Sequence, residues 1–255
     1  ELFIMDMDGS NVRQLTNERG LAISAAWSAN GEQLVYTSYR RRVPDIFAYS
    51  LSSGDSRQVT RGAALEVGPE FSRDAESVLA SQSNNGESDI VLFDRKGRLL
   101  RNLTRGNGAL DVSPTWSPDE QEIAFVSNRS GGPQIYRMRR DGKQVERVSF
   151  VRSNYCTSPS WSAAASKIAF VCRADRGFQL FTARPDGSGA MQLTSVGSNE
   201  DPSWSPDGRY LVFSSNSAGG GSYNLMLVMA DGSNLRQLTN SRKSDSQPAW
   251  GPRLF

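Results

Sequence analysis

The feature that most constrains this chain is internal repetition, because a segment that recurs at a fixed period must build one structural unit many times. Five copies stack at Trp27-Ser28-Ala29-Asn30-Gly31, Phe71-Ser72-Arg73-Asp74-Ala75, Trp116-Ser117-Pro118-Asp119-Glu120, Trp161-Ser162-Ala163-Ala164-Ala165 and Trp204-Ser205-Pro206-Asp207-Gly208. Trp250-Gly251-Pro252 is a clipped sixth, and successive aromatic residues are 44, 45, 45, 43 and 46 positions apart. A second marker keeps the same phase: Leu15-Thr16, Val59-Thr60, Leu103-Thr104, Val148-Ser149, Leu193-Thr194 and Leu238-Thr239. A third is the turn dipeptide at Asp8-Gly9, Ser53-Gly54, Lys96-Gly97, Asp141-Gly142, Asp186-Gly187 and Asp231-Gly232.

Between the markers lie short runs rich in Val, Ile, Phe and Tyr, such as Gln33–Ser38, Glu122–Ser127, Lys167–Cys172 and Tyr210–Ser215, which read as strands. Each is followed by a polar loop, a second run such as Gln134–Met138, the turn dipeptide and a run ending in Leu-Thr. Four antiparallel strands per repeat define a propeller blade, so the expected fold is all-β, a six-bladed β-propeller in one domain over residues 1–255. The blades are expected near 21–60, 65–104, 110–149, 155–194, 199–239, and 245–255 joined to 1–16. In that closing blade Gln247–Trp250 supplies the first strand and Leu2–Met5 the third, so both termini share it. Its second strand is missing from the count, and the expectation is a parent protein that continues upstream of Glu1.

Most conspicuous residues have a structural reading. The Trp residues and Phe71 are expected to pack between blades, as aromatic side chains in stacked sheets do. Asp-Gly and Pro-Asp-Gly mark hairpins, since Gly accepts positive φ and Asp bonds its own backbone. If Trp161 faces Lys167, hairpin partners sum to a constant that sets Cys156 opposite Cys172. The pair is either a disulfide, which requires an oxidising compartment, or two partly buried thiols.

Composition removes several function classes. The chain has no His, so a Ser-His-Asp triad, a Cys-His pair and an imidazole acid or base are all excluded. Lys and Arg number 29 against 27 Asp and Glu, a balance without the basic excess of a nucleic-acid binder. No apolar run approaches the length of a membrane span. No CxxC, EF-hand, P-loop or G-x-S-x-G motif is present. Function is therefore expected on the loops. The residues just before each aromatic are Glu66, Asp111, Thr157, Glu200 with Asp201, and Asp245 with Ser246, an acidic set around the channel mouth. The same loops carry a basic rim that includes Arg40, Arg41, Arg42, Arg61, Arg105, Arg129, Arg152, Arg173, Arg176, Arg242 and Lys243. The acidic set could take Ca²⁺ or a cationic peptide, and the rim could steer an acidic partner.

The repeat P-x-W-S-P-D-G, then I-A-F-x-S, I-Y-x-M-x-x-D-G and x-x-L-T, with the ending Gln247–Pro252, resembles the propeller of the TolB family of the periplasmic Tol-Pal cell-envelope system. The resemblance implies a non-enzymatic binding module in the periplasm, preceded in the parent protein by an α/β domain. It implies a loop face that docks the lipoprotein Pal, with colicin segments as competitors and Ca²⁺ in the channel. It also implies TolA binding through an N-terminal segment outside this chain. The family's contact segments map here onto Leu65, Glu66, Val67 and Gly68, and onto Asp111, Val112 and Ser113. Better-known members carry a His in the first segment and a Glu in the second, where this chain has Leu65 and Ser113. The wider set of candidate contacts adds Thr157, Glu200, Asp201, Asp245 and Ser246. No cofactor is required by this reading. Two alternatives stand beside it: the gating propeller of a prolyl-oligopeptidase-like serine peptidase, and glycoside hydrolysis by paired acids such as Glu200 and Asp201.

Overall fold

The computed structural model describes residues 1–84, 86–164, 166–219 and 221–252. Every regular element in it is a strand. Five four-stranded antiparallel sheets run in chain order, each strand beside its sequence neighbours. The first comprises β3 (Ala22–Trp27), β4 (Gln33–Ser38), β5 (Asp45–Ser50) and β6 (Ser56–Gln58), after the ribbon β1 (Phe3–Ile4) and β2 (Arg13–Gln14). The second comprises β7 (Leu65–Phe71), β8 (Ser77–Asn84), β9 (Glu87–Asp94) and β10 (Leu99–Asn102). The third is β11 (Asp111–Trp116), β12 (Glu122–Ser127), β13 (Gln134–Arg139) and β14 (Glu146–Arg147). The fourth is β15 (Cys156–Trp161), β16 (Ile168–Ala174), β17 (Gly177–Ala183) and β18 (Met191–Gln192). The fifth is β19 (Asn199–Trp204), β20 (Tyr210–Ser215), β21 (Asn224–Met229) and β22 (Arg236–Gln237). The chain divides into two compact units, residues 1–114 with 251–252, and Thr115–Trp250, the division falling within β11.

Strand position explains the residue pattern. Second strands such as β4, β12 and β20 are buried along nearly their whole length, because both faces of the sheet are covered, and they read as continuous apolar runs. First strands β11 and β19 share one burial pattern, in which two adjacent half-buried residues interrupt the alternation. The outer strands β2, β18 and β22 are two residues long and exposed, and apart from Met191 of β18 they are polar or charged, which blunts an otherwise sticky outer edge.

The expected sixth blade, counted without its second strand, is not formed. Strand β1 pairs with β2 in a two-stranded ribbon, and Gln247–Trp250, expected as the first strand of that sheet, lies outside any strand. A first strand joins its blade through a second strand, and among the described residues no strand occupies that place. Residues 253–255 of the range expected for this blade lie outside the described residues. Gln247 and Trp250 are held instead by their own N–H groups, which donate to Ser214 Oγ at 3.1 Å and Ser203 Oγ at 2.9 Å.

The aromatic marker packs unequally. Phe71 sits among Val35, Ile46, Val78, Val91 and Phe93, residues of two neighbouring sheets of the first unit. Trp204 packs on Ala169, Val171 and Leu180 of the preceding sheet, and its Nε1–H donates to Ser160 O at 3.1 Å. Trp27 and Trp161 are only half-buried.

The Leu-Thr marker has a hydrogen-bonding cause. In all six copies the hydroxyl of Thr16, Thr60, Thr104, Ser149, Thr194 or Thr239 accepts a third-strand N–H at 2.9 Å, from Leu2, Ile46, Ile90, Ile135, Leu180 or Leu225. The chain leaves the fourth strand at this point, and the hydroxyl satisfies a donor that the outer ladder no longer reaches. Thr194 also donates to Gln179 Oε1 at 2.8 Å, extending the latch. Thr194→Val keeps the shape but leaves the buried Leu180 N–H without its acceptor; a loss of about 1–3 kcal/mol is expected in a urea titration. The Trp-Ser marker is likewise a turn lock. Ser72, Ser117 and Ser205 each donate to the Asp two residues on, at 2.6–2.7 Å, and accept the N–H five residues on. The turn around Ala164 lacks the Asp, and Ala165 of that copy lies outside the described residues.

Candidate functional site

Three residues before each aromatic marker, the backbone enters the left-handed region at Ser24, Gly68, Ser113, Ser158, Asp201 and Gln247, with φ between 49° and 61°. In β3, β7, β15 and β19 the register of the ladder slips at this point, the signature of a β-bulge. A bulge inserts one residue and bends the strand, so it re-aims the loop-end half of every first strand. Where a second strand of the same unit carries a hydroxyl at the right height, the bulge N–H donates to it: Gly68 to Thr37 Oγ1 at 3.1 Å and Ser113 to Ser81 Oγ at 3.0 Å. The candidate contact residues cluster on these bulges and the two residues before them. The sequence reading missed the column of left-handed residues as such, although the spacing that aligns the aromatics also aligns it.

In the first unit, Leu65 is exposed, Val67, Gly68, Val112 and Ser113 are half-buried, and the two acids are covered. Glu66 is 3% exposed; Gln82 Nε2 donates to its Oε1 at 3.0 Å, and burial, with Asp45 nearby, pushes its carboxyl up. Asp111 is fully buried and accepts from Asn107 Nδ2 at 2.6 Å. At this end of the sheets the side chains of Leu65, Val67, Val112 and Ser113 are accessible, with Glu66 and Asp111 buried beneath.

In the second unit, Thr157, Glu200 and Asp201 are half-buried, as is Asp245, while Ser246 is exposed. Asp201 and the preceding bulge residue meet: Ser158 Oγ donates to Asp201 Oδ1 at 3.0 Å. Tyr223 donates to Glu200 Oε1 at 2.8 Å, and Asp245 N–H donates to Tyr223 O at 2.9 Å, so Tyr223 links two candidate segments. Desolvation, with the Glu200 charge alongside, raises the Asp201 carboxyl above its ordinary range despite the Ser158 bond. A carboxyl raised on folding stabilises fully below the ordinary carboxylate range and loses that contribution as pH climbs through its elevated value. Asp201→Asn, whose side chain also tolerates the left-handed backbone, is expected to raise the melting temperature at neutral pH and flatten its fall with rising pH. Unchanged slopes for wild type and variant in a pH series of thermal melts would refute this.

Cys156 and Cys172 are joined in a disulfide, with Cα atoms 4.1 Å apart and both residues fully buried. The register beneath it differs from the expected one: Trp161 faces Ile168, not Lys167, and the bulge at Ser158 restores Cys156 to its place opposite Cys172. The equivalent cross-strand positions hold Glu66 with Gln82, Asn199 with Ser215 and Ala22 with Ser38, so the disulfide stands where those sheets carry at least one polar side chain. Among the described residues, no group of three or more Asp, Glu, Cys or His is placed to hold a metal ion. Glu200 Oε1 and Asp201 Oδ1 accept from Tyr223 and Ser158.

A family model described as the TolB beta propeller domain matches residues 1–254. The chain belongs to that family. Among curated relatives, the Tol-Pal system protein TolB of Gluconobacter oxydans (strain 621H) is 35% identical over 108 residues, 42% of this chain and 24% of that protein. The TolB homolog of Chlorobaculum tepidum is 38% identical over 108 residues, 42% of this chain and 25% of that protein. The aligned stretch thus spans about a quarter of the length of those relatives. The crystal structure of TolB from Acinetobacter baumannii superposes with a TM-score of 0.89 at 28% identity, over 98% of this chain and 62% of that one. The chain is accordingly a TolB-like propeller of the Tol-Pal type, built here from five four-stranded blades and the terminal ribbon. No helix of the described residues is long and apolar enough to cross a membrane.

Proposed function

We propose that this TolB-like propeller is a non-enzymatic docking module of the periplasm, whose loop end binds a Pal-like peptidoglycan-associated lipoprotein. The observation that carries the reading is the family match along the whole chain, joined to bulged first strands that present Leu65, Val67, Val112 and Ser113 at the loop end. An interface needs apolar contact area within a polar rim, and these side chains provide the first. The buried disulfide supports an oxidising compartment. The absence of His supports binding over catalysis, because the commonest acid-base side chain is missing. Colicin segments, which would compete for the same surface, and TolA, which would bind a segment outside this chain, belong to the same proposal.

Capture of the cognate lipoprotein on immobilised propeller tests it. Val112→Arg and Leu65→Arg place a charge at the loop surface without disturbing the buried Asp111 and Glu66, and each is expected to weaken capture roughly tenfold or more, the scale of a central contact. Capture equal to wild type by both variants would remove this face from the interaction.

A further inference from the structure

Three loops of the first unit are stitched together at one end of its sheets. Tyr39 N–H donates to Leu21 O at 2.8 Å, Glu66 N–H donates to Pro44 O at 3.2 Å, and Gly20 lies so close to Tyr39 O that a Cβ there would stand 2.4 Å away. The loops so joined, 17–21, 39–44 and 61–64, carry Arg19, Arg40, Arg41, Arg42 and Arg61 against a single acid, Glu18. Glu18 is spent locally: it accepts from Tyr36 OH at 2.6 Å and from Ser38, and it is the ion partner of Arg40. Arg19, Arg41, Arg42 and Arg61 are exposed and form no ion pair among the described residues. Burial pushes the Asp45 carboxyl, which is 4% exposed, above its ordinary range, and the charges of Arg41 and Arg61, from two different loops, pull against that rise. Leu21, Tyr39 and Leu65, each at least 36% exposed, border the cluster.

We propose that this arginine cluster is a docking patch for an acidic polypeptide segment that also carries apolar side chains. Four exposed guanidinium groups without an ion pair among the described residues draw and orient carboxylates, since Arg presents a planar fork of donors that fits a carboxylate. Leu21, Tyr39 and Leu65 supply apolar contact that a phosphate backbone or a lipid headgroup would leave unused, which favours a polypeptide. The patch adjoins Leu65, so it extends the docking surface proposed above and would set the speed and salt sensitivity of encounter.

A short fluorescein-labelled peptide of Asp, Glu and Leu, titrated with the intact chain by anisotropy, tests the assignment. The expected result is binding at low salt that weakens roughly tenfold between about 50 and about 300 mM NaCl, as exposed charges are screened. Arg41→Glu with Arg42→Glu should weaken it at least roughly tenfold at low salt, and Arg41→Gln with Arg42→Gln should fall between that variant and wild type. Arg13→Glu with Arg101→Glu, on outer strands, changes net charge equally and should bind as wild type. Equal loss in the two charge-reversal variants, or no loss in the loop variant, overturns the patch. A single-stranded oligonucleotide or anionic phospholipid vesicles bound as tightly as the peptide would overturn the polypeptide assignment. Thermal melts of each variant separate misfolding from lost contact, and Arg→Gln gives a milder change at the same positions. The titration contains no lipoprotein, so its outcome is independent of whether Val112→Arg weakens lipoprotein capture.

Discussion

Trp204→Ala is expected to destabilise the second unit by about 3–5 kcal/mol, near the upper end for a single core truncation. The ring is 6% exposed and fills the space between two sheets, against Ala169, Val171, Leu211 and Phe213. Its removal opens a cavity between sheets whose positions are fixed by their own ladders, so collapse to fill it is limited. It also withdraws the indole N–H from Ser160 O, a bond that ties the first strand of one sheet to that of the next. Trp161→Ala, at the same repeat position but half-buried, should cost clearly less. Chemical denaturation of both variants checks the ranking, and equal losses would show that the aromatic marker does not act through burial.

Removal of the Cys156–Cys172 disulfide by Cys156→Ala with Cys172→Ala is expected to cost about 3 kcal/mol, the chain-entropy value for a loop of roughly 15 residues. The bridge spans 16 positions in sequence and ties the open end of the β15–β16 hairpin, opposite its connecting turn. Because both residues are fully buried, a reductant should leave the folded chain's bridge intact at room temperature and lower the melting temperature only as the hairpin opens. A double variant as stable as wild type would mean that the bridge adds nothing to the ladder it spans.

Much of this architecture was legible because repetition amplifies weak local signals. One Leu-Thr dipeptide says little, but four of them with Val59-Thr60 and Val148-Ser149 in phase set the period, and the structure supplies the cause, a hydroxyl that receives a third-strand N–H in each copy. The sixth blade was not legible, since strand pairing depends on a neighbour and the pattern of Gln247–Trp250 is the same with or without one. The placement of Cys156 opposite Cys172 rested on two departures that cancel. Trp161 pairs one residue further along than expected, and the bulge at Ser158 takes that residue back. The same bulges explain why the outward-facing loop residues were hard to choose. Alternation along a strand fails across an inserted residue, so Glu66 and Asp111, which look like rim acids in sequence, turn inward, while Val67 and Val112 remain accessible. The link from Tyr223 to Glu200 was invisible because nothing in sequence spacing brings position 223 to position 200.

Hydrogen exchange of the chain with and without its cognate lipoprotein tests the docking account most directly, because it reports the face engaged without any substitution. The account predicts slowed exchange at residues 65–68 and 111–113, with 39–44 joining if the arginine patch takes part. Protection confined to the opposite ends of the sheets, at the turns 52–55 and 95–98, or no protection at saturating lipoprotein, would contradict it.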